Sequence, residues 1–261
     1  MQGTLWQRAL AEFVGTFALI FIGVLAVVAT GFANAPDTTA LVNVAFAHGL
    51  VIAVMVAALA AVSGGHFNPA ITFGFVVTGR MDPGTGAVYW VSQLVGGAVA
   101  ALLLAAMIGS GAVADGTPVL ADTVSPGLGI FLEAVTTFFL VFVVFGTAVD
   151  ERAPTSLFPF AIGLTIALDI MAIGPLTGGS VNPARAFGPA LASGAWADQI
   201  VYWIGPLIGG AVAAWVMHFA LMERGQASPV AERGGPTPEE QRETSIETAR
   251  RRRPPPREAA D

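Results

Sequence analysis

The sequence contains no cysteine, no lysine and only three histidines. The absence of cysteine excludes disulfides, thiol catalysis and cysteine-based metal sites. His48, His66 and His218 are far apart in the sequence, and neither an HExxH motif nor a cluster of carboxylates accompanies them. We therefore expect no metal, no cofactor and no enzymatic activity.

Charge is also scarce in this chain of 261 residues. Only 11% of them are charged and 54% are hydrophobic. Soluble domains carry about 25% charged residues. The composition predicts an integral membrane protein whose surroundings are a lipid bilayer, with no nucleic acid as a partner.

Six long apolar segments are separated by shorter, more polar ones. Each is long enough to cross a bilayer, which takes about 20 helical residues. The first contains Glu12 and exceeds the apolar core of a signal peptide, so we interpret it as a transmembrane helix. The predicted spans are residues 9–32, 41–62, 85–109, 128–149, 157–174 and 197–222.

Two short apolar segments, residues 68–78 and 182–192, begin with the same Asn-Pro-Ala tripeptide. Asparagine favours the N-cap and proline the first helical position, so each tripeptide predicts a helix start. A helix of about ten residues is too short to cross a bilayer. Arg185 lies in the first turn of the second segment, and a charge at such a position indicates a functional residue.

The chain is an internal repeat. Residues 46–50 match residues 160–164 at an offset of 114, which also relates the two Asn-Pro-Ala tripeptides, and residues 89–90 match residues 202–203 at 113. Each copy contains three spans, and an odd number forces the second copy to enter the membrane from the opposite side. The two half-helices then meet near the midplane.

These patterns predict an all-α membrane protein with six transmembrane helices and two re-entrant half-helices in an inverted three-plus-three repeat. We assign residues 1–223 to this membrane domain, with repeat 1 at about 8–109 and repeat 2 at about 128–222. Residues 224–261 are rich in charge and proline, which predicts a disordered polar tail in the cytoplasm.

The arginines determine the predicted orientation. In a six-span topology Arg8, Arg80, Arg152 and every tail arginine lie on one side, and Arg185 is the single basic residue on the other. The positive-inside rule places the first side, with both termini, in the cytoplasm. High alanine, glycine and arginine usage indicates a bacterial inner membrane.

Two Asn-Pro-Ala boxes, the second followed by arginine, in an inverted repeat of six spans resemble the aquaporin or major intrinsic protein family. The resemblance covers about residues 8–222. It implies the aquaporin fold, a passive channel and a homotetramer. The pore motifs that it implies are Asn68, Pro69, Ala70, Asn182, Pro183 and Ala184.

The resemblance gives the residues around each box a physical role. Each half-helix N-terminus carries about half a positive charge, which repels cations as in aquaporin-type channels generally. Asn68 and Asn182 can direct amide donors into the pore. Irregular backbone before each box is tolerated where it lines a water-filled cavity. The pore-lining loop residues predicted in this way are Gly64, Gly65, His66, Gly178 and Ser180.

Three carboxylates lie inside predicted spans. The symmetric placement of Glu12 and Glu133, together with the resemblance, indicates that they accept hydrogen bonds from the re-entrant loops. A catalytic pair is the alternative interpretation. Asp169 receives no role, His66 is mainly structural and His218 is interfacial.

In the family, four positions form an outer constriction that acts as a selectivity filter. Their spacing from the boxes assigns them to His48, Ile170, Gly179 and Arg185. This set resembles the filter of plant tonoplast intrinsic proteins, which is associated with ammonia as well as water. It departs from the strict water filter at the first two positions, so we expect a wider pore. Residues 110–127 lack the loop histidine of ammonia-conducting relatives, and we place Asp122 in that region.

The resemblance therefore implies a passive transmembrane channel for water and other small neutral solutes such as ammonia. The alternative is a glycerol or small-polyol facilitator. Such facilitators carry aspartate after the second Asn-Pro-Ala-Arg, whereas this chain has Ala186, and Ala190 replaces a basic residue. An intramembrane enzyme and a lipid-binding role for the tail are alternatives from other classes.

Overall fold

The computed structural model describes residues 3–33, 37–154 and 156–222, so the predicted tail lies outside the described residues. Within these ranges the chain forms nine α-helices joined by short turns. They are α1 (Leu5–Thr30), α2 (Thr38–Ser63), α3 (Pro69–Val77), α4 (Pro83–Ile108), α5 (Ser110–Asp115), α6 (Pro126–Val144), α7 (Phe158–Thr177), α8 (Pro183–Ser193) and α9 (Val201–Val216).

Six of the described helices, α1, α2, α4, α6, α7 and α9, are long and apolar enough to cross a membrane. A π-helical turn extends α6 through Phe145–Val149 and α9 through Met217–Leu221. The all-α prediction with six spans is confirmed. The fifth span continues to Thr177, three residues beyond the predicted end, and the short helix α5 was not predicted.

The two half-helices, α3 and α8, begin at the Asn-Pro-Ala boxes as predicted. Asn68 accepts a hydrogen bond from the N–H of Ala70 at 2.8 Å, and Asn182 accepts one from Ala184 at 2.9 Å. Proline is the first helical residue in both, where its missing N–H is not needed. The sequence therefore specifies both starts locally.

The two repeats interlock through their half-helices. Within each repeat the first span packs against the other two, as α1 on α2 and α4, and as α6 on α7 and α9. Between the repeats α2 packs on α7, α4 on α8 and α3 on α9. Each half-helix thus packs on the last span of the opposite repeat.

Glycine permits this close packing at repeat-related positions. A Cβ atom at Gly97 would lie 3.0 Å from the Ala184 carbonyl oxygen, and one at Gly210 would lie 2.8 Å from that of Ala70. Small residues at such interfaces let helix backbones approach closely in membranes. The half-helices are held deep in the protein for this reason.

Candidate functional site

The two half-helices meet head to head through their capping asparagines. Asn68 donates from Nδ2 to the carbonyl oxygen of Val181 at 2.8 Å, and Asn182 donates from Nδ2 to that of Phe67 at 2.9 Å. Since an amide nitrogen carries two hydrogens, each asparagine keeps a second N–H. These two hydrogen bonds join the loops, and one amide N–H of each asparagine remains as a donor on its side of the junction.

A cavity passes this junction. Half of its lining residues are aliphatic, and its polar members come from the two boxes, the loops before them and two of the predicted filter positions, His48 and Arg185. The lining residues are Leu19, His48, Ile52, His66, Asn68, Ile71, Ile162, Ile166, Ile170, Gly179, Ser180, Val181, Asn182 and Arg185. We call this cavity the lumen.

The structure brings all four predicted filter residues together on the wall of the lumen. His48 donates from Nδ1 to the carbonyl oxygen of Val44 at 2.8 Å, which leaves Nε2 as an acceptor in the neutral ring. Gly179 has φ +55°, and a Cβ atom there would lie 3.1 Å from the Cα atom of Ile170. Glycine is therefore required at this position by conformation and by space.

Arg185 is buried on the wall of the lumen. Its NH1 group donates to the carbonyl oxygen of Gly116 at 3.2 Å, and its Nε has no hydrogen-bond partner within the described residues. A buried cation with an uncommitted donor attracts a neutral acceptor and repels other cations. The pairing with Gly116 was not predicted, because the chain segment that carries it has no recognisable motif.

A wider cavity opens beyond Arg185. Its wall includes residues 115–121, and Gly178 lies on this wall. Asp122, which we placed in this region from the sequence, is exposed and is not part of the wall. The carbonyl group of Gly116 in the loop before it, rather than Asp122, therefore contacts Arg185.

The loop glycines divide into two groups. Gly179 lines the lumen with His66 and Ser180, whereas Gly64 and Gly65 are not part of its wall. Gly64 ends α2 in the left-handed conformation, with φ +92°, and Gly65 follows with φ +68°. Their observed contribution is to turn the chain from α2 into the loop.

Glu12 holds the first re-entrant loop. Its Oε1 accepts hydrogen bonds from the Ser63 hydroxyl at 2.7 Å and the His66 N–H at 3.0 Å. Its Oε2 accepts them from the Phe67 N–H at 2.7 Å and from Nε2 of Gln93 at 2.8 Å. Four donors thus surround one buried carboxylate, as its predicted role as a loop support requires.

Glu133 holds the second loop in the same manner with three donors. Its Oε1 accepts from the Thr177 hydroxyl at 2.7 Å and the Ser180 N–H at 2.9 Å. Its Oε2 accepts from the Val181 N–H at 2.7 Å. The position related to Gln93 by the repeat is Pro206, which has no donor to offer.

Several residues that hold the two re-entrant loops were not predicted from the sequence. Ser63 and Thr177 each come directly before the loop glycines and are related by the offset of 114 residues. Both carry a hydroxyl group, and this match between the repeats could have identified them. Tyr89 donates to the Ser63 carbonyl at 2.6 Å and Tyr202 to the Thr177 carbonyl at 2.9 Å. Gln93 has no such signal, because the repeat does not preserve it.

Of the other polar side chains, His66 shares the lumen wall with the filter residues, whereas His218 and Asp169 are not part of that wall. His66 forms a 3.0 Å hydrogen bond between its Nδ1 and the Thr72 hydroxyl, in agreement with a structural role. His218 accepts from NH2 of Arg80 at 2.9 Å, and partial burial lowers the pKa of that arginine. Asp169 is buried, and its Oδ2 has no partner within the described residues.

Comparison with known proteins agrees with this geometry. The sequence model of the family described as Major intrinsic protein matches residues 1–217. The chain is 46% identical to Aquaporin TIP4-4 of Zea mays, over 86% of this chain and 90% of that protein. It is 41% identical to Aquaporin TIP2-1 of Arabidopsis thaliana, over 85% of this chain and 90% of that protein.

A solved structure shares the fold. The X-ray structure of the aquaglyceroporin from Plasmodium falciparum superposes with a TM-score of 0.72 at 22% identity, and the match covers 83% of this chain and 97% of that one. The family model and the two plant relatives each cover most of the chain. The chain therefore belongs to the major intrinsic protein family and is a multi-pass membrane protein with the channel architecture of that family.

Proposed function

We propose that the protein is a passive channel for water and for other small neutral solutes, including ammonia. The observation that carries the proposal is the lumen at the junction of the two boxes, with His48 and Arg185 on its wall. Two plant relatives are named aquaporins. We assign the channel to residues 1–223, working as a homotetramer.

The lumen supports passage of small polar molecules because donors interrupt an aliphatic wall. The free N–H of Asn68 and of Asn182 replaces part of the hydration that a solute loses on entry. Two half-helix N-termini and Arg185 make the same region unfavourable for cations. A protonated solute is therefore excluded, whereas a neutral one passes.

His48 and Gly179 support passage of ammonia beside water. In the neutral ring described above, Nε2 of His48 is an acceptor, while Arg185 contributes donors. Ammonia both donates and accepts hydrogen bonds, so it matches this pair. Glycerol is the alternative solute, and Ala186 stands against it, because glycerol facilitators carry aspartate at this position after the second Asn-Pro-Ala-Arg.

We also propose an orientation and a membrane for the channel. Arg8, Arg80 and Arg152 fall on the side opposite Arg185 in the six-span topology, which supports cytoplasmic termini. The high alanine, glycine and arginine usage supports a bacterial inner membrane. We assign residues 224–261, which lie outside the described residues, to the same cytoplasmic side as the N-terminus.

Stopped-flow light scattering of proteoliposomes tests the proposal. We expect higher osmotic water permeability than in empty vesicles, together with faster internal alkalinisation in an ammonium gradient. Glycerol-driven reswelling is measured on the same vesicles. Water permeability equal to that of empty vesicles would refute the channel, and glycerol flux far above ammonia flux would favour the alternative.

His48→Phe tests the contribution of the imidazole to ammonia passage. We expect ammonia permeability to fall more than water permeability, because phenylalanine removes the acceptor from the filter. Ile162→Phe is the matched control, since Ile162 is the repeat-related residue on the lumen wall. A parallel fall of both permeabilities in His48→Phe would contradict a specific role in ammonia passage.

A further inference from the structure

Leu19, Gly23 and Val27 lie on one face of helix α1 at intervals of four residues. Leu19 lines the lumen and Val27 lines the wider cavity beyond Arg185. Gly23 lies between them on the same face and is buried. Gly23, which has no side chain, therefore lies between the residue that lines the lumen and the residue that lines the wider cavity.

The side chain that occupies the space beside Gly23 is that of His48. A Cβ atom at Gly23 would lie 2.8 Å from Cδ2 and 2.9 Å from Cε1 of the imidazole, and closer still to Nε2. Real Cβ atoms do not approach other atoms this closely, so ring and side chain exclude each other. The imidazole thus rests directly against the α1 backbone.

The ring is fixed on its other edge as well. Nδ1 of His48 donates to the Val44 carbonyl within α2, and the residue is only 2% exposed. A side chain at position 23 would break this arrangement, because the ring cannot move along α2 without losing its hydrogen bond. The open space next to the ring is the lumen that it lines.

We infer that Gly23 sets the width of the filter, because it lets the His48 ring withdraw from the lumen toward α1. The width of the constriction is then determined by a residue that is absent from the lumen wall. The inference rests on the proposed function, since it assigns a role within the same filter. A side chain at position 23 displaces the imidazole into the path of the solute.

Four variants in proteoliposomes test this: Gly23→Ala, His48→Ala, the double variant, and Gly127→Ala as a control whose added methyl group meets nothing within 4 Å. We expect water permeability per channel to fall about tenfold in Gly23→Ala, because overpacking forces side chains to move. Ammonia permeability falls in parallel. Gly127→Ala behaves as the unaltered protein.

The double variant separates a filter role from ordinary helix packing. Without the ring the added methyl group displaces nothing, so we expect Gly23→Ala/His48→Ala to conduct like His48→Ala alone. If Gly23→Ala fails to accumulate, recovery of folded protein in the double variant supports the same conclusion.

Three results would overturn the inference. Unchanged permeability of Gly23→Ala contradicts displacement of the ring. Equal losses with and without His48, whether of permeability or of folded protein, assign Gly23 to helix packing only. An unaltered protein that conducts neither water nor ammonia overturns the proposed function and this inference together, whereas the first two results leave the proposed function intact.

Discussion

Two polar side chains on the lumen wall have isoleucine at their repeat-related positions. The offset of 114 residues pairs Arg185 with Ile71 and His48 with Ile162, and all four line the lumen. The backbone around them follows the same plan in both repeats, with a capped half-helix and a carboxylate behind it. Selectivity in this protein therefore depends on side chains that depart from a symmetric scaffold.

The supports behind the two loops show a smaller departure. Glu12 accepts one more hydrogen bond than Glu133, from Gln93, whose amide also donates to Thr72 at 3.0 Å. The second repeat has Pro206 and Ala186 at these positions. Gln93 and Thr72 thus add two polar side chains behind the first loop that the second repeat lacks.

Removing a loop support is expected to have the largest effect. Glu133→Ala leaves the N–H groups of Ser180 and Val181 without their acceptor inside the membrane, which costs several kcal/mol. Glu12→Ala does the same to His66 and Phe67. We expect little folded protein from either variant, measured as the monodisperse fraction in detergent, and a normal yield would contradict the assigned supports.

The glutamine variants distinguish the two supports. Glu12→Gln is expected to be milder than Glu133→Gln, by about 1 kcal/mol or one net hydrogen bond. The reason is that Gln93 can turn its unpartnered Oε1 toward the new amide, whereas Pro206 cannot. Thermal midpoints in detergent measure the difference, and equal midpoints would show that Gln93 does not compensate.

Arg185→Ala tests the asymmetry of the lumen, with Ile71→Ala as the matched control. Loss of the guanidinium widens the filter and removes its positive charge, so we expect urea and glycerol permeabilities to rise roughly tenfold, the discrimination that one pocket contact supplies. A proton or cation leak is measured with a pH-sensitive dye. Identical selectivity in the two variants would contradict a filter role for Arg185.

The two tyrosines behind the loops provide a finer comparison. Tyr89 both donates to the Ser63 carbonyl and accepts from Nε of Arg8 at 2.9 Å, whereas Tyr202 donates to the Thr177 carbonyl. We expect Tyr89→Phe to lower the free energy of unfolding more than Tyr202→Phe, each by about 1–2 kcal/mol. Chemical denaturation in micelles measures both, and the reverse order would contradict the contribution of Arg8.

The smallest effect is expected at Asp150, which follows the π-helical turn after α6 and lies outside the membrane. The Arg152 guanidinium hydrogen-bonds to Asp150 and lowers the pKa of that carboxyl. This stabilisation is present above the ordinary aspartate pKa and is lost as pH falls through the lowered value. It is worth less than about 1 kcal/mol because Arg152 is half exposed. Asp150→Asn is expected to remove this pH dependence from the thermal midpoint.

The parts of the fold that could be predicted are those that short sequence motifs specify. Pro69 and Pro183 after their asparagines specify the half-helices, and the repeat offset places them opposite each other. Contacts between residues far apart in sequence lack such signals. Gly116 accepts a hydrogen bond from Arg185 through its backbone carbonyl, a group that every residue type carries. Gly23 contributes by having no side chain where the His48 ring lies. Neither contribution depends on a side chain that a motif can show.

The hydrogen bonds between the two boxes have a consequence for biosynthesis. Asn68 needs the Val181 carbonyl, and Phe67 needs the Asn182 amide, so partners lie 113 and 115 residues apart. At 5–20 residues per second, roughly 6 to 23 s separate the synthesis of the first loop from that of its partner. The nascent first repeat must keep its loop hydrated, or held by the insertion machinery, throughout that interval.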